Sequence, residues 1–312
     1  MGQEDTSQSE RLDEIATRLD AEILRIKELL VGGGRRDPED FNIRGGLYKI
    51  AFEIAPEARR QDLDQVHKWV KPQIGEVSVD VAAGTGFLTK PVQEWTRDRV
   101  YAVDPSGVQL EALKNKCVGL PIVTVEGSLS EEETLQKLGS DVGNIDFVTS
   151  FGGIHHVVDE SGENKQRMMF EKIARALKPG GRFVAADVGE NTKLAEHFDT
   201  SVKRHCLTGH HEKWLSHDRL QNELVESAGL TYIKSEVVPI QWSFNSKREM
   251  ALFMKALHAY DLTDYEILND LSAILGFEEK QDAVLLNWPM LFFHLKKNPL
   301  KEFEPLTNEG ED

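Results

Sequence analysis

Cysteine is nearly absent. Cys117 and Cys206 are the only two, too few for a disulfide framework or a zinc ribbon, and they point to a reducing compartment. No apolar run reaches the length of a membrane span, and the opening MGQEDTSQSE contains no apolar signal stretch. Gly2, Asp5 and Thr6 fit the myristoylation pattern only loosely. Basic runs never exceed two residues and the net charge is −16, the reverse of the basic face that phosphate contacts demand. These absences argue for a cytoplasmic protein with neither a nucleic acid nor a membrane as partner.

What is present suits a globular chain. Hydrophobic residues make up 40% and charged residues 29% of 312 residues. That length fits one main domain of about 200–250 residues with helical additions. Leu12, Ile15, Leu19, Ile23, Ile26 and Leu30 recur at helical spacing behind a Ser7/Glu10 capping pattern, and the helix should stop at the Gly-Gly-Gly of 32–34. Its apolar stripe must be buried on the main domain, in a homodimer through this amino-terminal helix, or as a cover over a site. Residues 1–72 read as a helical amino-terminal extension. The main domain follows over 73–300, and 301–312 reads as a disordered acidic tail.

From residue 77 a regular alternation begins, with apparent strands at 77–82, 99–104, 121–126, 144–151 and 182–187 and helical segments between them. That rhythm means βαβ units and a parallel sheet covered on both faces. After 187 the rhythm changes. Ser216 and Gly229 bracket a helix, 231–244 and 285–297 read as strands, and about 245–280 reads as a helical insertion. Pro289 suits an edge or a bulge.

The first run, VSVDVAAGTGFLT, ends in glycines 84 and 86, where missing Cβ atoms permit a tight turn and a close ligand approach. The second run ends in Asp104, twenty positions after Gly84, placed to accept hydrogen bonds from both hydroxyls of a ribose. Together they imply a nucleoside-containing cofactor; a helix cap is the structural alternative for Asp104. A dinucleotide normally asks for a third small residue, where this chain has Thr89, and that counts against an NAD(P)-dependent oxidoreductase.

VDVAAGTGFLT, YAVDPS, IDFVTSFGGIHHV and ARALKPGGRFVAADV, in this order and spacing, resemble the motifs of class I S-adenosylmethionine-dependent methyltransferases over residues 75–238. The chain is most similar to the small-molecule branch, which includes the ubiquinone- and menaquinone-biosynthesis types. The resemblance implies a Rossmann-like α/β fold: seven mostly parallel strands, the last reversed, helices on both faces, a helical amino-terminal cover and a helical carboxy-terminal insertion. The cofactor it implies is S-adenosyl-L-methionine, the product S-adenosyl-L-homocysteine. Asp80, Ala82, Gly84 and Gly86 would shape the methionine pocket. Asp104 would hold the ribose. Pro105 and Ser106 would border the adenine. Ser128 and Leu129 stand where the family often has an acidic residue on the adenine amino group, so that a hydroxyl or backbone amide would replace the carboxylate. Ser150, Phe151 and Gly152 would lie under the sulfonium. Tyr48 matches an aromatic residue of the cover.

Methyl transfer needs an aligned acceptor and, where the acceptor carries a proton, a base. His155 and His156 follow the fourth strand and are the candidates, as base or as braces of the loop. His205, His210 and His211 form a second cluster beside Cys206. It reads as acceptor contact or ordinary surface, and its spacing fits no closed four-ligand metal site, so no metal is expected. Trp242 is a candidate wall of the acceptor pocket. A covered pocket and an acidic surface favour a small metabolite methylated on O, N, S or C. A non-catalytic S-adenosylmethionine-binding module is the other reading.

Overall fold

The computed structural model describes residues 2–31, 41–158, 165–210 and 212–299. The 32–34 glycines, His211 and the 301–312 tail lie outside them. Seven strands form the main sheet: β1 (Ser78–Val81), β2 (Val100–Asp104), β3 (Ile122–Glu126), β4 (Ile145–Phe151), β5 (Leu177–Asp187), β6 (Leu230–Val238) and β10 (Met290–Lys297). Their order is β3-β2-β1-β4-β5-β10-β6. β1 pairs in parallel with β2 and β4, while β10 runs antiparallel between β5 and β6. The reversed last strand is the one that the sequence motifs imply.

Burial explains the strand compositions. β1 and β2 are buried at every position, as befits central strands covered on both faces. β6, at an edge, shows polar and exposed positions that include Lys234 and Glu236. In β10 successive side chains serve opposite layers. Phe292 packs in the core shared with Trp69 and Phe147, and Phe293 in the core shared with Phe170 and Phe183.

Helices cover both faces. α7 (Gln166–Ala176) and the helix spanning 217–228 lie on the Phe293 side. Ser216 Oγ caps the latter and Gly229 closes it with φ 73°. α3 (Arg60–Val70) and α4 (Thr89–Thr96) lie on the other side. α5 (Gly107–Lys116) and α6 (Glu132–Gln136) complete the βαβ connections, α5 capped by Ser106.

α1 (Gly2–Val31) begins ahead of Ser7, which therefore stands inside the helix and not at its cap. Its predicted stripe from Leu12 to Leu30 is buried, in one core with α2 (Phe41–Ile54) and the Lys247–His258 helix. Lys255–Asp20 and Arg18–Glu53 ion pairs, at 2.8 and 2.7 Å, run along the seam.

Two predicted strands are each broken in two. β7 (Gln241–Phe244) and β9 (Val284–Asn287) leave the main sheet and, with β8 (Phe277–Glu279), form a second antiparallel sheet ordered β7-β9-β8. The 245–280 insertion thus holds the helices Lys247–His258 and Asp264–Ile274 and then a strand. Its second helix starts on a Thr263/Glu266 capping box.

The glycine turn after β1 carries local strain. Ala82 sits at φ 57°, a left-handed conformation that costs an L-residue about 1–2 kcal/mol. Ala82→Gly should therefore raise unfolding free energy in urea by about 1 kcal/mol, the gain reduced by glycine's larger unfolded-state entropy. A loss of stability would show that the alanine methyl is needed in its packing against Gly153.

Candidate active site

A cavity of about 1070 Å³ lies over the carboxyl ends of β1, β2, β4 and β5, where doubly wound sheets bind ligands. Its rim is local sequence made into geometry. Ala82 and Gly84 line it after β1, Asp104 and Pro105 after β2, Ser128 and Leu129 after β3, and Phe151, Gly152, His155 and His156 after β4. Tyr48, with Phe41 and Arg44, comes down from α2 as a roof.

Asp104 is 6% exposed. Its Oδ2 accepts from Gly84 N and its Oδ1 from Ser106 N, both at 2.8 Å. The carboxylate thus fixes the glycine turn to the end of β2. Each oxygen retains acceptor capacity toward the cavity. Ser106 Oγ, not Asp104, caps α5, so the capping alternative fails. Burial raises the Asp104 carboxyl above its usual range, against the two amides.

Three predicted cofactor residues support the rim from beneath instead of lining the cavity. Asp80 accepts from Thr89 Oγ1 at 2.6 Å and from Thr149 Oγ1 at 3.2 Å. Burial pushes its carboxyl up to about 7, with Asp104 adding to the push. Thr89, the residue that breaks the dinucleotide pattern, therefore serves as a donor to the buried strand carboxylate. At Gly86, with φ 86°, a Cβ would come 2.9 Å from Leu113 Cγ, so the glycine admits α5. Ser150 is fully buried in β4.

The other end of the cavity is lined with imidazoles. His155 and His156 stand on a short 3₁₀ turn, Ile154–His156, gripped by Asp187 at the end of β5. Asp187 Oδ2 accepts from Ile154 N and His155 N at 2.7 and 3.2 Å. Asp187 Oδ1 pairs with His155 Nδ1 at 2.5 Å. Burial would raise the Asp187 carboxyl, but His155 and the Val188 amide hold it below the usual carboxylate range.

His210 joins them from a distant loop. The loop is stitched down by Lys213 N donating to His155 O at 3.0 Å, and by Gln166 Nε2, which donates to both Ile154 O and Lys213 O. His210 Nδ1 meets Glu212 Oε2 at 2.7 Å. Burial, helped by Arg44 and the neighbouring histidines, holds His210 well below its ordinary pKa and so neutral.

The second predicted histidine cluster does not stay together. His205 is half-buried and does not line the cavity; its carbonyl accepts from Asp261 N. Cys206 packs back on its own turn through Gly209 O. His210 turns the other way, to His155 and His156, with ring centroids 5.4 and 4.9 Å away. His211 lies outside the described residues.

Trp242 lines the cavity, with its Nε1 donating to both oxygens of Asp62 at 3.1 Å. Asp62 also holds Arg59 at 2.7 Å, and the guanidinium lies over the rings of Phe87 and Phe151. Phe198, Trp288 and His258 complete this end. Phe198 opens a π-helical turn, Phe198–Val202, a distortion common at functional sites.

Sequence reasoning missed Asp187, Arg44 and the Arg59–Asp62 pair. Asp187 was within reach. It ends a parallel strand just as Asp104 does, and the same rule singles it out.

A doubly wound sheet with a glycine turn and a strand-end carboxylate at its ligand-binding edge defines a nucleoside-cofactor protein. Residues 79–185 match the family Methyltransf_11, described as a methyltransferase domain. Over those residues the chain carries a methyltransferase domain, and its sheet has the class I fold of S-adenosylmethionine-dependent methyltransferases. Comparison with curated proteins returns no match. Among solved structures, the YcgJ protein of Bacillus subtilis is 15% identical with a TM-score of 0.54, over 77% of this chain and 99% of that one. An S-adenosylmethionine-dependent methyltransferase of Thermotoga maritima is 14% identical, with a TM-score of 0.52 over 83% and 98% of the two chains. Phosphoethanolamine N-methyltransferase 2 of Haemonchus contortus, solved with phosphomonomethylethanolamine and S-adenosylhomocysteine, is 19% identical. Its TM-score is 0.54, over 85% of this chain and 60% of that one. At these identities the likeness is one of fold.

Proposed function

We propose that this protein transfers the methyl group of S-adenosylmethionine to a small metabolite in the cytoplasm. One observation carries the reading: a single roofed cavity joins the Asp104 and glycine-turn rim to the histidine-lined end. Asp104 takes the ribose hydroxyls, Pro105, Ser128 and Leu129 border the adenine, and Ala82, Gly84, Phe151 and Gly152 enclose the methionine part and the sulfonium. Asp80, Gly86 and Ser150 hold that wall from behind, and Tyr48 closes it. Residues 1–72 act as the cover and 245–280 as the far wall. No helix among the described residues is long and apolar enough to cross a membrane. A homodimer through α1 belongs to the same reading. Leu24, Leu29 and Val31 give that helix exposed apolar side chains.

The acceptor set is His155, His156, His210 and Trp242, without His205. The acceptor's electron pair forms the new bond to the methyl carbon while sulfur keeps the pair of the bond that breaks. Where the acceptor carries a proton, His155 takes it and Asp187 stabilises the imidazolium. A small acceptor accords with the phosphomonomethylethanolamine complex of the Haemonchus relative.

Asp104→Ala should weaken S-adenosylhomocysteine binding at least tenfold, about 1.4 kcal/mol, in calorimetry, with Asp104→Asn losing somewhat less. An unchanged affinity in a folded variant removes the ribose role. Release of S-adenosylhomocysteine over a metabolite panel, read by mass spectrometry, identifies the acceptor. Tight NAD binding instead would restore the oxidoreductase reading.

A further inference from the structure

We propose that His155, His156 and His210 form a binding site for one divalent transition-metal ion at the acceptor end of the cavity. One ligating atom from each ring lies within 4.8 Å of the others. A metal held about 2.1 Å from each nitrogen brings the three to roughly 3.4 Å apart, a closure of at most about 1.4 Å from the 4.8 Å bound, which small side-chain rotations would supply.

The orientation of the rings is the stronger argument. Metal-bound histidines characteristically give their second ring nitrogen to a carboxylate, which fixes the tautomer and turns the other nitrogen to the metal. Two of the three rings already have this arrangement. Asp187 holds His155 Nδ1 at 2.5 Å, and Glu212 holds His210 Nδ1 at 2.7 Å. Each carboxylate draws the ring proton to Nδ1 and leaves the lone pair on Nε2. His210 is 6% exposed, and among the described residues its Nε2 is buried with no hydrogen-bond partner. A buried acceptor left without a partner destabilises the fold, and a metal bond would remove that penalty. The loop that carries His210 is also tied to the His155 carbonyl through Lys213 N, so the two rings are set by one backbone contact.

Three neutral nitrogens leave a fourth position open, as in catalytic zinc sites. An ion there supplies a Lewis acid that lowers the pKa of a bound acceptor atom. With the ion bound His155 is a ligand, and its Nε2 no longer serves as the base. The ion site stands on its own geometry; only its role rests on methyl transfer.

The test uses the purified full-length protein, stripped with chelator and titrated with ZnCl₂ and CoCl₂. One equivalent should bind, and Co²⁺ should give the intense visible bands of a four-coordinate site. His210→Ala should weaken binding by about 100-fold. Glu212→Gln, which keeps all three rings, should weaken it by about tenfold. Thermal melts confirm that each variant is folded. Binding below one equivalent in the parent protein overturns the proposal, and so does binding that His210→Ala leaves unchanged. S-Adenosylhomocysteine titration of the same samples separates the two readings. Metal binding without cofactor binding sinks the methyl-transfer reading and keeps the metal site. Cofactor binding without metal does the opposite.

Discussion

Asp62→Ala should lower the free energy of unfolding by about 3–5 kcal/mol. Asp62 is fully buried and is the anion for Arg59, itself 7% exposed. Removing one partner leaves a guanidinium among the rings of Phe52, Phe87, Phe151 and Trp242 with no carboxylate opposite it. Those rings attract a cation by about 0.5–2 kcal/mol each at best, less than the desolvation that the carboxylate had offset. Trp242 Nε1 loses both of its acceptors in the same step. Urea unfolding monitored by circular dichroism measures the loss. Asp62→Asn keeps an acceptor for the indole and should lose less. The double variant Arg59→Met with Asp62→Leu removes both charges and should recover most of the stability, since a buried pair often gains little over apolar side chains of similar volume. A single-variant loss below about 1 kcal/mol, or no recovery in the double variant, would mean that water reaches the pair and screens it.

The contrast between the glycine turn and this pair shows what a sequence carries. β1 to β5 were legible because each is a short apolar run that alternates with a helical segment. The place of Gly84 and Asp104 at the cavity rim was legible because it follows from position at a strand end. The second sheet was not legible. In 231–244 and 285–297 the alternation continues through Pro239 and Pro289, and each run reads as one strand. Each proline marks the point where the chain leaves one sheet for the other. A proline has no N–H for the ladder, so pairing stops there, and Trp288 N donates to Ile240 O at 2.8 Å to join the two breaks. The histidine cluster was legible only in part. His155 and His156 announce themselves by place. The move of His210 away from His205 depends on the loop's anchorage, with Leu207 N bound to Ala259 O and Lys213 N to His155 O. No local pattern encodes those two bonds.

Asp187→Asn should lower kcat by about 10²–10⁴-fold with little change in affinity for S-adenosylhomocysteine. Asp187 accepts four hydrogen bonds on two oxygens: Ile154 N and His155 N on Oδ2, and His155 Nδ1 and Val188 N on Oδ1. Asparagine has one oxygen. With its oxygen kept for the two turn amides, its NH₂ faces His155, and the imidazole answers by carrying its proton on Nε2. That tautomer has no lone pair toward the acceptor, so the ring cannot take a proton there, nor can it bind an ion through Nε2. The opposite flip sets the NH₂ against the amides of Ile154 and His155 and loosens the turn. Either way the histidine is misdirected while Asp104, at the end of β2 and three strands from β5 in the sheet, keeps its bonds to Gly84 N and Ser106 N. The variant should also be less stable by about 1–3 kcal/mol, because at least one buried N–H loses its acceptor. Steady-state kinetics on the acceptor found in the panel, beside cofactor calorimetry, gives the separation. A kcat within threefold of the parent enzyme would show that the reaction needs no directed imidazole. The acceptor would then be one that loses no proton in the methyl-transfer step.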